Sequence, residues 1–155
     1  MVSNPMDWVK PMAKAGANLF TFHIESNMPS NGGVQTLIDS IKEHGMKVGI
    51  SIKPGTSIDD IISLVNQIDM VLVMTVEPGF SGQSFMANMM PKVVALREKF
   101  PDLDIQVDGG LSPSTVDVAT AAGANIIVAA SAIFGSDDRK GVIDTLRASA
   151  DKCLQ

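Results

Sequence analysis

Asp108 stands directly before Gly109-Gly110. A carboxylate beside glycines whose backbone N–H groups can turn toward an anion would repel that anion unless a proton or a metal offsets the charge. Asp108 is therefore a candidate general acid/base or metal ligand. Two further segments of small residues, Gly79-Phe80-Ser81-Gly82 and Ala130-Ser131, also follow apolar stretches that read as strands. Backbone amides and helix starts at three successive strand ends can line one oxyanion pocket. Each segment alone reads first as an ordinary βα turn; the three in succession favour phosphate binding. His23, at another strand end, reads as a structural hydrogen-bonding residue ahead of a metal ligand or proton shuttle. Glu77, before Pro78, reads as a loop-bracing carboxylate, and Lys53 pairs with either a phosphate or Glu25. Met74, near a strand end, is placed to cap a pocket, and His44 to face solvent at a helix C-terminus.

These residues need a scaffold. The 155 residues carry 12 Lys+Arg against 17 Asp+Glu, a net charge of −5, with 45% hydrophobic and 19% charged residues. That is enough apolar material for a core and too little charge for a disordered chain. The acidic balance argues against a nucleic-acid partner. No run of about 18 apolar residues exists to span a membrane. The start, Met1 to Pro5, lacks the basic flank and apolar segment of a signal peptide. The single cysteine, Cys153, forms no intrachain disulfide and no cysteine-based zinc site alone. A cytoplasmic protein is expected.

Periodicity and punctuation place helices at 4–16, 34–44, 58–67, 84–99, 112–122 and 137–153, and strands at 19–24, 48–52, 70–76, 104–108 and 125–129. In the first helix Asn4 is the expected N-cap, Pro5 the first helical residue, and Trp8, Val9, Met12 and Ala15 the apolar face, with Pro11 a point of kinking. Ser57 caps the third helix. Five strands alternating with six helices predict a parallel sheet with helical crossovers, an α/β fold. Ala15-Gly16-Ala17-Asn18 before one strand is echoed by Ala122-Gly123-Ala124-Asn125 before another. The echo reads either as a repeating βα architecture or as two ordinary helix C-caps. Length favours a doubly wound open sheet, since a (β/α)8 barrel needs eight strands and usually at least about 200 residues.

Several strings decide between these. Met1-Val2-Ser3-Asn4-Pro5, Ala15-Gly16-Ala17-Asn18, Ile52-Lys53-Pro54-Gly55-Thr56, Met74-Thr75-Val76-Glu77-Pro78-Gly79-Phe80, Gly82-Gln83, Met90-Pro91-Lys92 and Val107-Asp108-Gly109-Gly110 closely resemble the ribulose-5-phosphate 3-epimerase family, and the resemblance covers essentially the whole chain. It implies a (β/α)8 TIM barrel, here a single partial barrel domain over residues 1–155 with about five parallel strands and six helices. It implies an isomerase of the pentose phosphate pathway, interconverting ribulose 5-phosphate and xylulose 5-phosphate by proton removal and return at C3. The family uses two aspartates and a divalent metal (Zn, Fe, Mn or Co) held by two His and both Asp. Only Asp108 maps onto that set, as catalytic acid and metal ligand. Substrate and phosphate contacts map onto Met74, Gly79, Phe80, Ser81, Gly82, Gly109, Gly110, Ala130 and Ser131.

Ser81 and Ala130 stand where the family usually has glycine, and Met1 matches a position just past the third barrel strand. The resemblance thus leaves three strands, both metal-binding His and the first aspartate unmatched. The expectation is an epimerase by lineage, impaired and metal-free as this chain alone, and a homodimer or an associate of a complete barrel. The other expectation is an inactive phosphate-binding remnant pairing with an intact epimerase.

Overall fold

The computed structural model describes residues 2–80 and 82–153. Its elements are α1 (Met6–Lys14), β1 (Leu19–His23), α2 (Gly33–Glu43), β2 (Lys47–Ile52), β3 (Met70–Met74), α3 (Met90–Lys99), β4 (Asp104–Asp108), α4 (Val116–Ala121), β5 (Ile126–Val128), α5 (Ser131–Phe134) and α6 (Arg139–Cys153), with 3-10 turns at Ile58–Asp60, Ile62–Gln67 and Ala87–Met89. The strands hydrogen-bond in the order β1-β2-β3-β4-β5, the parallel α/β arrangement expected from the alternation.

The chain divides into two compact units, residues 1–52 with 57–71, and residues 53–56 with 72–155. In the first unit β1 pairs parallel with β2, from Leu19 opposite Lys47 to His23 opposite Ser51. Phe20 and Phe22 alternate with more exposed neighbours along β1 and are buried, as are Val48 and Ile50 of β2 and Leu37, Ile38 and Ile41 of α2. Asp69 Oδ2 accepts the Val48 N–H at 2.8 Å, extending the ladder with a side chain. In the second unit β4 pairs parallel with β5, Asp108 opposite Val128. Ile105 and Val107 are buried, as are Val93 and Leu96 of α3 and Val116 and Ala119 of α4. Asn125 plays Asp69's part here, its Oδ1 accepting the Ile105 N–H at 2.7 Å. All five residues of β3 are buried, as its uniformly apolar sequence requires.

The echoed Ala-Gly-Ala-Asn strings are helix caps. Gly16 and Gly123 lie at φ 90° and 110°, and the next N–H reaches back five residues, Ala17 to Met12 and Ala124 to Ala119, each at 3.1 Å. The same cap closes α2 at Gly45, with Met46 N–H donating to Ile41 O at 3.2 Å, without the echo.

Five helical expectations are corrected. Pro5, not Asn4, is the N-cap of α1; the Asn4 carboxamide oxygen instead accepts from Asn27 Nδ2 at 2.9 Å. In α1 only Val9 is buried, while Trp8 and Met12 are exposed. The helix expected at 58–67 is two 3-10 turns: Ile58, Ile61, Ile62 and Val65 are β-branched, and Asp59, Asp60, Ser63 and Asn66 are poor helix formers. Ser57 does cap, accepting the Asp59 N–H at 3.2 Å. The helix expected from 84 starts at Met90, because Pro91 is tolerated only in a first turn. The helix expected from 112 starts at Val116: Thr115 Oγ1 accepts the Ser112 N–H at 3.0 Å and donates to Gly110 O at 3.1 Å, holding 112–115 as a turn.

Candidate functional site at the strand ends

The second unit carries the candidate site at the C-terminal ends of β3, β4 and β5. Thr75, the residue after β3, is fully buried. Its N–H donates to Asp108 O at 2.8 Å and its hydroxyl donates to Gly109 O at 2.7 Å. These two bonds lock the end of β3 to the end of β4. Thr75 O in turn accepts the Met86 N–H at 2.9 Å, tying in the chain that returns toward α3. Only its place in the quoted string marked Thr75; nothing in its residue type announced the role.

Asp108 is the last residue of β4 and half-buried. Among the described residues its carboxyl makes no hydrogen bond or ion pair, and burial raises its pKa above the ordinary carboxylate value of 3.8. It caps no helix, since Thr115 occupies that position for α4. A half-buried carboxyl without a neutralising partner can hold or release a proton nearer neutrality than a solvated one.

Gly109 and Gly110 have φ 123° and 69°. A Cβ on Gly109 would lie 2.7 Å from Val76 Cγ1, and one on Gly110 would lie 2.7 Å from Phe85 Cα and 3.0 Å from Gln83 O. Both glycines are thus required by close approach of the β3 loop, apart from any anion they face. That loop is braced by Gln83, whose Nε2 donates to Glu77 O at 2.7 Å and Phe80 O at 2.9 Å. The bracing expected of Glu77 comes from its carbonyl, not its carboxylate. Gly79 and Gly82 have positive φ and open space around them, and Phe80 is 86% exposed. Met74 is buried at the end of β3. Ala130 precedes α5 with φ −116°, so its N–H is available without glycine's freedom; Ser131 is exposed at the helix start. Ser81 lies outside the described residues.

His23 belongs to the first unit. Its Nδ1 meets Glu25 Oε2 at 3.0 Å and its Nε2 meets Ser51 Oγ at 3.3 Å. An ionised carboxylate only accepts, so Nδ1 carries the proton there. This is the structural hydrogen-bonding part read for His23. His44 Nδ1 donates to Ser40 O at 2.8 Å on the exposed C-terminus of α2. A cavity of about 670 Å³ beside Val94, Arg97, Asp117, Thr120 and Ser149 contains none of the expected site residues.

A divalent metal does not fit the donors present. Among the described residues no group of three or more His, Cys, Asp or Glu side chains is placed to hold one, and Asp108 alone offers a single carboxylate. Among the same residues no helix is long and apolar enough to cross a membrane.

A profile of the Ribulose-phosphate 3 epimerase family matches residues 1–134. The chain is 57% identical over 154 residues to "Ribulose-phosphate 3-epimerase, cytoplasmic isoform" of Oryza sativa subsp. japonica, covering 97% of this chain and 66% of the rice protein. It is 50% identical over 155 residues to a ribulose-phosphate 3-epimerase of Candida glabrata, covering 100% of this chain and 61% of the yeast protein. The chain therefore spans less than two thirds of the length of these relatives. Among solved structures, KGPDC from Streptococcus mutans in complex with D-R5P superposes with a TM-score of 0.75 at 15% identity, covering 97% of this chain and 69% of that one. The 3-hexulose-6-phosphate synthase from Salmonella typhimurium superposes with a TM-score of 0.72 at 19% identity, covering 96% and 69%. Those proteins are TIM barrels, and the likeness at such identity is one of fold.

Proposed function

The chain belongs to the ribulose-phosphate 3-epimerase family, and on that premise we propose that it supplies one acid/base carboxylate and the phosphate-binding loops for interconversion of D-ribulose 5-phosphate and D-xylulose 5-phosphate. The observation that carries this reading is Asp108, a half-buried carboxyl at a strand end with its proton affinity raised, set beside Gly109-Gly110. Asp108 moves the C3 proton on one face of the sugar: as carboxylate it takes the proton, as carboxylic acid it returns one. Epimerisation needs a second group on the opposite face, which the family resemblance assigns to an aspartate that maps onto no residue here.

The amides of Gly79, Phe80, Gly82, Gly110, Ala130 and Ser131 hold the phosphate, and Ser81 joins them by resemblance. Gly109 shapes the turn, and Met74 packs over the substrate. Residues 1–155 act as a single partial barrel domain, partnered by a second copy or by a complete barrel, in the cytoplasm, in keeping with the name of the rice relative. The family's divalent metal is not retained by this chain alone; elemental analysis finding one tightly bound ion per chain would overturn that. Identities of 50–57% to ribulose-phosphate 3-epimerases favour the epimerase over a phosphate-binding remnant.

The test has two arms. Titrating ribulose 5-phosphate into the 15N-labelled chain shifts the amides of 79–82, 109–110 and 130–131; perturbation confined to Lys or Arg side chains elsewhere would overturn the phosphate assignment. In a chimera where this chain replaces the matching segment of the rice protein, Asp108→Asn lowers epimerisation about 10²–10⁴-fold. Undiminished turnover would overturn the role of Asp108.

A further inference from the structure

Two of the strings quoted from the sequence, Lys53-Pro54-Gly55-Thr56 and Met90-Pro91-Lys92, lie far apart in the chain and meet in the second unit through one side chain. Lys92, in the first turn of α3, donates from Nζ to Lys53 O at 3.2 Å, Pro54 O at 2.8 Å and Thr56 O at 2.6 Å. An ammonium has three donors and no acceptor, and here three carbonyl oxygens of one four-residue loop converge on it. Such a set of backbone carbonyls around one positive charge is what proteins use to hold a monovalent cation.

The composition of the loop leaves two of its residues with little to contribute to fixing it. Pro54 has no N–H to give and Gly55 no side chain; a Cβ on Gly55 would meet nothing within 4 Å. Within the loop, Thr56 N–H donates to Lys53 O at 3.1 Å. Turning three carbonyls the same way sets their dipoles against one another, and the positive charge at their focus offsets that repulsion.

We propose that Lys92 is a positioning residue that acts as a tethered monovalent cation, and that the carbonyl seat formed by Lys53, Pro54 and Thr56 takes a free ammonium or potassium ion once the lysine charge is removed. The loop follows β2 at the C-terminal edge of the parallel strands, the edge where Asp108 and the glycine loops lie. A part for Lys92 in shaping the substrate site rests on the function proposed above; the cation seat does not, and its tests need no turnover.

Lys92→Ala is melted in ammonium chloride, potassium chloride and tetramethylammonium chloride at equal ionic strength. The variant melts several degrees below the parent in tetramethylammonium, and about 0.2 M ammonium or potassium recovers at least about half of that loss, by binding the folded state only. The parent, whose seat is filled, gains no such ion-specific increment. If ammonium and potassium act on Lys92→Ala no differently from tetramethylammonium, the seat is not a cation site and the proposal falls. A second measurement uses the unaltered chain, in case the variant does not fold. Under limiting acetic anhydride, Lys92 is acetylated at least about 10-fold more slowly than Lys140, whose side chain is 85% exposed, because its nitrogen is engaged by three acceptors. Equal labelling rates would overturn the proposal. Failure of ribulose 5-phosphate to bind would leave both results unchanged and would count only against the proposed function.

Discussion

Gly110→Ala puts a single methyl where β4 meets the loop that follows β3. Gly110 sits at φ 69°, a left-handed conformation that costs an alanine about 1–2 kcal/mol. The new Cβ would fall 2.7 Å from Phe85 Cα and 3.0 Å from Gln83 O, and closer still to Phe85 N. These are backbone atoms, not the end of a side chain that could swing away. Relief requires moving the 83–85 segment, whose neighbour Met86 is bonded to the buried Thr75. Overpacking of this kind costs about 1–3 kcal/mol. The combined loss of roughly 2–5 kcal/mol, at about 2–4 °C per kcal/mol for a chain of this size, lowers the melting midpoint by about 5–20 °C.

Gly55→Ala is the control, with no positive φ and nothing near its Cβ, and its midpoint stays within about 2 °C of the parent. Far-UV circular dichroism on heating measures both. Because Gln83 braces Glu77 and Phe80, displacement of 83–85 also weakens the phosphate binding proposed for the 79–82 loop, read as smaller amide shifts on titration. A Gly110→Ala midpoint within about 2 °C of the parent would refute the reasoning, since neither the backbone strain nor the overlap would then exist.

Three other outcomes follow from the same geometry. Burial raises the pKa of Asp108 above 3.8, so folding favours its neutral form and the parent loses stability as pH climbs from that value through the raised one. Asp108→Asn carries no charge to desolvate; in urea melts it is more stable than the parent at pH 7, and the gap closes as the pH falls toward 3.8. A gap of opposite sign would contradict the desolvation. Thr75→Val removes a buried hydroxyl and leaves Gly109 O without that donor; urea unfolding registers a loss of about 1–3 kcal/mol, whereas Thr75→Ser, keeping the hydroxyl, loses less. Arg97 donates to Gly123 O, Pro101 O, Leu103 O and Asn125 Oδ1. Arg97→Lys, a point charge in place of a planar fork, recovers only a minor part of the roughly 2–4 kcal/mol lost in Arg97→Ala, read in the same melts.

Local chemistry was sufficient wherever one segment decides its own state. The strand at 104–108 follows from Asp104 to Asp108 alternating around buried Ile105 and Val107, with Gly109-Gly110 ending it. Burial of β3 follows from five apolar residues in a row, and the helix ends at Gly16, Gly45 and Gly123 from glycine's freedom at positive φ. Asp108 was legible as a candidate site residue because a carboxylate before two glycines is a chemical anomaly within one short stretch.

Whatever depends on distant neighbours was decided only by the tertiary structure. Apolar spacing set Trp8, Val9 and Met12 on one helical face; which of them is covered depends on what packs there, and only Val9 is buried. A run of β-branched and short polar residues at 58–67 has helical periodicity, yet it closes i to i+3 bonds as 3-10 turns. Gly109 and Gly110 read as amides for an anion, but Val76, Gln83 and Phe85, 25 or more residues earlier, leave no room for a Cβ there. Thr75 bonds 34 residues ahead to Gly109, and Lys92 36 to 39 residues back to the loop after β2. Such partners share no periodicity and no local motif. A side chain's residue type states what it can bond, and the fold alone decides which buried carbonyl or backbone segment stands within its reach.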